Sequence, residues 1–347
     1  MSLSRLVFAP YDPRRDDEVE KLFREYSHKD FQLQAMGIAK ASMAEFLKTT
    51  LLEAQSQNII LRDDGHLVGL ISLQFLPWMS DHFGLRMYSI RHLLARSDSP
   101  LVHTRLLRVV IEELSDVDFL DCRVAVDDVY SAHALEVCAF RYVGTEIFLG
   151  QTLENSIPLR TPPGIDIYLC RREDRPPVLD IAAETHVHNR FVYDPNIHEK
   201  AAQSLYRKLV THCFDAEPFQ VLVARSEEGV EGFITFKMNR GFSRIVGMDC
   251  GSLDLIGVRP QTRSQGLGTA LNRFALHQMA HKGARVAAVR TLASNYPALR
   301  TCFRTAFTVT STTLHFHRWI QRPKITAQGV SPGTKNNLKF AQTLADR

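Results

Sequence analysis

The sequence predicts an α/β protein: two tandem copies of one domain, each with a mixed central sheet flanked by helices. Three observations predict it. Ile59–Leu73 and Val221–Phe236 both read as a strand, a charged glycine-containing turn and a second strand. Arg123–Phe140 and Val289–Phe307 both read as a strand, a polar N-cap, a short helix, then Ala-Phe opening another strand. Between these matched pairs in the second half, Leu253–Leu271 runs from an apolar strand through a glycine turn into an amphipathic helix. Matches at so long a period indicate duplicated domains, not a solenoid.

The first copy is expected over 1–150, a linker over 151–164, the second copy over 165–320 and a polar tail over 321–347. The linker is polar and proline-rich (QTLENSIPLRTPPG). The tail is polar and basic; Leu338–Leu344 is long enough for one short docking helix.

In the second copy, strand 165–170 precedes a helix near 177–185. A helix over 198–214 follows, with Ala202, Leu205, Leu209 and Val210 on one face. Strands 219–225 and 230–238 make the hairpin, and strand 252–258 leads into the glycine turn. Helix 266–282 carries Leu267, Ala270, Leu271, Phe274 and Met279 at helical spacing, with Gly283 placed to stop it. Strand 285–292, helix 296–304 and strand 307–317 complete the copy. The first copy repeats this order more loosely. The resulting sheet is antiparallel at its start and parallel where helices cross over.

The turn Arg263-Ser264-Gln265-Gly266-Leu267-Gly268-Thr269 has the makings of an anion site. Its glycines let main chain approach a ligand closely. The first amides of a helix lack intrahelical partners, and the helix dipole adds positive potential there. Arg263 adds a fixed cation. A Walker A loop would need a lysine after its last glycine, where this chain has Thr269. A dinucleotide fingerprint would need a different glycine order and a later acid.

The strand order, with Arg-x-x-Gly-x-Gly between the fourth strand and the third helix, resembles the GNAT N-acetyltransferases. Asn295-x-x-Ala298 and Phe307 are similar to that family as well, although Ala306 stands where the family usually has glycine. Within the family, His186–Pro195 resembles the dTDP-fucosamine acetyltransferases, which acylate the 4-amine of dTDP-4-amino-4,6-dideoxygalactose. Leu76–Gly84 resembles the Trp…Phe-Phe-Gly segment of their N-terminal domain.

The resemblance implies acetyl-CoA as co-substrate and a small amine as acceptor, and it is compatible with a homodimer. Leu255, Ile256, Gly257 and Val258 would hold the pantetheine arm. Residues Arg263 to Thr269 would hold the pyrophosphate, and Asn295 would contact the cofactor or only cap its helix. Seven residues after that asparagine the family places a tyrosine acid; this chain has Cys302. A thiol, with a reference pKa of about 8.5, is mostly protonated at neutral pH, but it is a weaker donor than a phenol. Cys302 is therefore either the acid or a small buried side chain. Asp254 and Asp249 are candidate bases. His188, Asn189 and Arg190 are placed as a loop facing the acceptor, where arginine suits a diphosphate. The corresponding loop of the first copy, Leu93–Leu101, has no glycine and carries Asp98, so that copy is expected to be structural or one wall of the acceptor cleft.

Bulk properties narrow the classes. With 347 residues, 45% hydrophobic and 23% charged, the chain suits two soluble domains. A net charge of +4 implies neither nucleic acid nor membrane as partner. Six cysteines without paired spacing suggest free thiols in a reducing cytoplasm. There is no apolar leader and no membrane-length run. His186-x-His188 and His315-x-His317 lack further ligands at recognisable spacing, so no metal is expected. Three functions remain: acylation of an amino-sugar nucleotide, acylation of another small amine or peptide, and acyl-CoA binding without turnover.

Overall fold

A computed structural model describes residues 6–11, 16–26, 34–96, 99–114, 116–154, 158–185 and 189–320. The tail, with its short helix expected at Leu338–Leu344, lies outside them. The first copy runs β1 (Leu6–Pro10), α1 (Asp16–Glu25), α2 (Lys40–Thr49), β2 (Ser56–Asp63), β3 (His66–Phe75), α3 (Pro77–Phe83), β4 (Met87–Ala95), α4 (Pro100–Glu113), β5 (Phe119–Ala125), α5 (Val129–Val137) and β6 (Arg141–Thr152). The second runs β7 (Asp166–Leu169), α6 (Arg175–Thr185), α7 (Glu199–Asp215), β8 (Phe219–Ser226), β9 (Gly229–Met238), α8 (Arg240–Val246), β10 (Cys250–Val258), α9 (Leu267–His281), β11 (Val286–Leu292), α10 (Tyr296–Arg304) and β12 (Thr308–Trp319). Helices and strands come in the same order in both. The helix absent from the sequence reading is α8, which is too short to show a helical period.

The chain forms two compact units. One gathers the described residues of Met1–Asp30, Met43–Gly144 and Thr313–Arg347; the other gathers Phe31–Ser42 and Thr145–Thr312. In the first unit the strand order is β1-β2-β3-β4-β5-β12, with Thr313–Trp319 antiparallel to β5. In the second it is β6-β11-β10-β9-β8-β7, with β6 antiparallel to β11. The last strand of each sequence repeat thus pairs with strands of the other repeat. Both sheets are mixed: β4 with β5 and β10 with β11 are parallel, and the other pairs are antiparallel.

Each sheet carries an apolar core. In the first unit, β2–β5 pack Ile71, Leu73, Ile90 and Cys122 against Leu106, Leu107 and Val110 of α4 and Leu135 of α5. In the second, Phe236, Leu253 and Ala287 pack against Leu271, Ala275 and Met279 of α9 on one face. On the other face, Val221, Val223 and Phe233 meet Val178 and Ile181 of α6 and Val210 of α7. Gly283, at φ +90°, ends α9 in the left-handed conformation expected of a helix stop.

The two short helices α5 and α10 end alike. Ala139 (φ +58°) and Ala306 (φ +64°) sit in the left-handed region. Phe140 N–H donates to Leu135 O, and Phe307 N–H donates to Cys302 O. This is the Schellman arrangement, in which the residue after the left-handed one packs on the residue five before it. Leu135 and Cys302 therefore occupy equivalent places under Phe140 and Phe307, and all four are buried.

Candidate functional site

The second unit holds an opened fork at the end of a parallel strand pair. β10 and β11 pair from Cys250↔Val286 to Leu253↔Val289 and then part. The cause lies on the other side of β10. Against β9, Leu253 pairs with Phe236 and Leu255 with Thr235, leaving Asp254 as an extra, bulged residue. A bulge bends its strand and re-aims side chains. Beyond it, Leu255 N–H donates to Thr235 Oγ1 and Arg259 N–H to Glu231 O, both toward β9. By strand alternation, Ile256 and Val258 present their main-chain groups to the fork. Gly257 serves packing: a Cβ there would come within 2.6 Å of Phe233 and 2.8 Å of Thr185.

Above the fork lies the glycine turn. Gly266 caps α9 at φ +85° with no side-chain cap, and a Cβ there would meet nothing within 4 Å. The first helical bond of α9 is Ala270 N–H to Gly266 O, at 3.0 Å. Among the described residues, none accepts from the amides of Ser264, Gln265, Gly266, Leu267, Gly268 or Thr269. A run of unused amides at a helix N-terminus, with open space before it, fits a pyrophosphate. Arg263 is exposed beside them, and its Nε donates to Val258 O at 3.3 Å. Replacing Arg263 with alanine is expected to weaken CoA binding about 10- to 100-fold, the scale of one charge-assisted contact. Pantetheine, which lacks the diphosphate, should bind both forms alike; equal losses for both ligands would place the effect in folding.

The first unit shows why one copy suffices. There α4 starts with Pro100, which has no amide to offer, and Ser99 Oγ takes Leu101 N–H at 3.3 Å. Ser97 and Asp98 of that loop lie outside the described residues. The Tyr26 hydroxyl at the end of α1 reaches the cap of α5: it donates to Asp128 Oδ2 and contacts Ser131 Oγ at 3.2 Å and His103 Nε2 of α4 at 3.4 Å. All four residues are buried. Burial, with the Asp128 carboxylate beside it, pushes the Tyr26 phenol well up, so it stays neutral. In the first unit the side chains of Tyr26, His103, Asp128 and Ser131 thus meet beside the starts of α4 and α5.

Asp254 lies beside Lys237 (3.7 Å) and Ser252 (3.5 Å). Its side chain is 29% exposed. Burial holds its carboxyl above the ordinary carboxylate range, while Lys237 and Arg290 pull it back down. Asp249 sits before β10, at the closed end of the strand pair.

Asn295 caps α10, accepting Ala298 N–H at 3.4 Å, and its Nδ2 donates to Thr291 Oγ1 at 3.1 Å. Cys302 is 4% exposed and packs in the apolar cluster with Phe307 and Leu299. Burial pushes its thiol up to about 11. We expect Cys302→Ala and Cys302→Ser to bind CoA and turn over at the parent rate, with roughly 1–3 kcal/mol lost from stability. Thermal melts beside initial rates check this; a rate loss of about 100-fold in Cys302→Ala would instead make the thiol an acid.

Of the acceptor loop, His188 lies outside the described residues, as does His186. Asn189 is buried, with Oδ1 accepting the amides of Phe191 and Val192, so it shapes the loop. The Arg190 guanidinium stacks 4.4 Å from the Phe191 ring. Tyr193 reaches from this loop to Ser294 Oγ at 3.3 Å. Glu146 of β6 and Arg290 of β11 meet at 3.9 Å near the fork, and both act on the Tyr206 phenol of α7; no spacing in the sequence singled them out, because they sit on three separated elements.

Residues 179–304 match the acetyltransferase (GNAT) family. This span includes the fork, the glycine turn and α10. This part of the chain is similar to a GNAT acetyltransferase domain.

Solved structures of this family share the fold across nearly the whole chain. A GCN5-related N-acetyltransferase from Sphaerobacter thermophilus is similar with a TM-score of 0.63 at 16% identity, over 93% of this chain and 98% of its own. A tandem GNAT protein from the clavulanic acid biosynthesis pathway is similar with a TM-score of 0.50 at 12% identity, over 91% and 99%. The glucosamine N-acetyltransferase region of a fungal β-N-acetylglucosaminidase gives 0.63 at 14%, over 92% of this chain and 38% of that one. No curated protein sequence matches the chain.

All six cysteines are free. Among the described residues no three His, Cys, Asp or Glu side chains gather into a metal site, and no helix is long and apolar enough to cross a membrane.

Proposed function

We propose that the second unit transfers the acetyl group of acetyl-CoA to the primary amine of a small acceptor. The observation that carries this reading is the fork between β10 and β11, opening directly beneath a helix N-terminus whose amides are unused. The amides of the turn take the pyrophosphate, assisted by Arg263. The main chain of Ile256 and Val258 holds the pantetheine arm as a third strand would, which fixes the thioester near the bulge. Asp254 accepts a proton from the acceptor ammonium. The amine then attacks the thioester carbon and its C–N bond forms; the C–S bond breaks, and the nitrogen's second proton passes to the departing thiolate. Holding two substrates in line supplies much of the rate in such a transfer.

Cys302 takes no part, because its sulfur faces the apolar core. A departing thiolate of ordinary pKa, about 8.5, is stable enough to leave without a dedicated acid. Within this reading the acceptor we favour is a dTDP-linked 4-amino-4,6-dideoxygalactose. Its support is the His186–Pro195 and Leu76–Gly84 resemblance, together with arginines beside the fork that suit a diphosphate.

The test is release of CoA thiol from acetyl-CoA with a panel of amines that includes amino-sugar nucleotides, amino acids and polyamines. Acceptor-dependent release is expected. CoA binding without release for any amine would replace this reading with an acyl-CoA-binding regulatory protein.

A further inference from the structure

Arg290 leaves β11 one residue beyond Val289, the last position paired with β10. It therefore borders the fork opposite Asp254. On its other side it pairs in register with Phe148 of β6, and its guanidinium lies 6.0 Å from that ring. Glu146, two residues earlier on β6, approaches it at 3.9 Å. The two exposures are unequal: the Glu146 side chain is 12% exposed and that of Arg290 is 53% exposed.

This asymmetry matters. A buried carboxylate at that distance fixes the guanidinium by charge yet lies too far to take a hydrogen bond from it. Arginine carries five N–H donors in a rigid fork. Arg290 is thus seated by a ring and a carboxylate, and half of its side chain stays exposed at the edge of the fork. Binding an anion there requires little further ordering.

The surroundings have mixed charge. The charges of Arg190, Glu146 and Arg290 all act on the phenol of Tyr206 in α7. Burial pushes that phenol up to about 12, so it remains a neutral donor. Arg290 also acts on Asp254, which is held by Lys237. An acceptor entering this cleft meets a carboxylate at the bulge and a cation across the fork. A plain ammonium would gain from the first and be repelled by the second.

We propose that Arg290, seated by Glu146, binds an anionic group of the acceptor, so that the substrate class is a primary amine that also bears a carboxylate, phosphate or diphosphate. This rests on the acetyl-transfer reading and narrows its acceptor. It also gives a function to the β6–β11 pairing, because the seat of Arg290 comes from a strand that belongs in sequence to the first repeat.

The test uses matched amines at saturating acetyl-CoA: β-alanine against propylamine, O-phosphoethanolamine against ethanolamine, and glucosamine 6-phosphate against glucosamine. In the parent the anionic member of a pair should have a kcat/KM about 10- to 100-fold higher. Arg290→Gln should erase that preference through the acceptor KM and leave the KM for acetyl-CoA unchanged. Arg290→Lys should recover part of it. The pair with the largest ratio tells carboxylate from phosphate. Equal use of both members by the parent, or a preference that survives Arg290→Gln, overturns the inference. Failure of every amine while CoA still binds overturns the acetyl-transfer reading itself, and this inference with it.

Discussion

Replacing Gly266 with aspartate is expected to abolish CoA binding, while the parent binds CoA once per chain. Two effects act together. Gly266 sits at φ +85°, where a side chain costs roughly 1–2 kcal/mol of backbone strain. The aspartate carboxylate would then stand among the amides that receive the pyrophosphate, and like charge at contact distance opposes the ligand. Gly266→Asn separates the two effects. Asparagine tolerates the left-handed region and matches aspartate in shape without its charge, so it should retain part of the affinity. Calorimetry on the three forms reads this directly. Unchanged affinity in Gly266→Asp would remove the pyrophosphate from this turn. Two sites per chain would mean that the first unit binds CoA despite Pro100 and the Ser99 cap at the start of α4.

The second large effect is expected at Asp254. Asp254→Asn should lower kcat by about 10²- to 10⁴-fold, the range for losing a positioned base, with the affinity for CoA unchanged. The pH profile carries the sign. A base must be ionised to accept a proton, so kcat/KM should fall as pH drops through the Asp254 pKa. Burial raises that pKa, which puts the acid limb above the ordinary carboxylate range. Lys237 and Arg290 both favour the ionised form, so Lys237→Met should move the limb to still higher pH. A limb that stays in place in Lys237→Met, or full activity in Asp254→Asn, would assign the proton to another group.

Part of this was legible in the sequence because it is local. A glycine turn followed by Leu267, Ala270, Leu271 and Met279 specifies an open helix N-terminus with one apolar face, whatever surrounds it. The repeat was legible for a similar reason. Asp128 and Asn295 each cap a helix that ends at Ala-Phe, and cap and stop signals act over a few residues. The same local chemistry sets Leu135 and Cys302 at equivalent, buried positions under Phe140 and Phe307.

Other features depend on what lies far away in sequence. The bulge at Asp254 comes from register against β9, and the fork comes from where β10 and β11 stop pairing. Neither leaves a mark in the order of residues. The role of Gly257 is also tertiary, since what excludes a side chain there is Phe233 and Thr185.

The sequence by itself determined the two repeats, the glycine-started helix in the second and the proline-started one in the first. Only the tertiary structure decided that β6 lies beside β11 and that Glu146 meets Arg290 at the edge of the fork. Helix caps and glycine turns are fixed by neighbours along the chain. A pair of charged side chains on two strands is fixed by which strands pair, and that choice is made by burial of the whole sheet.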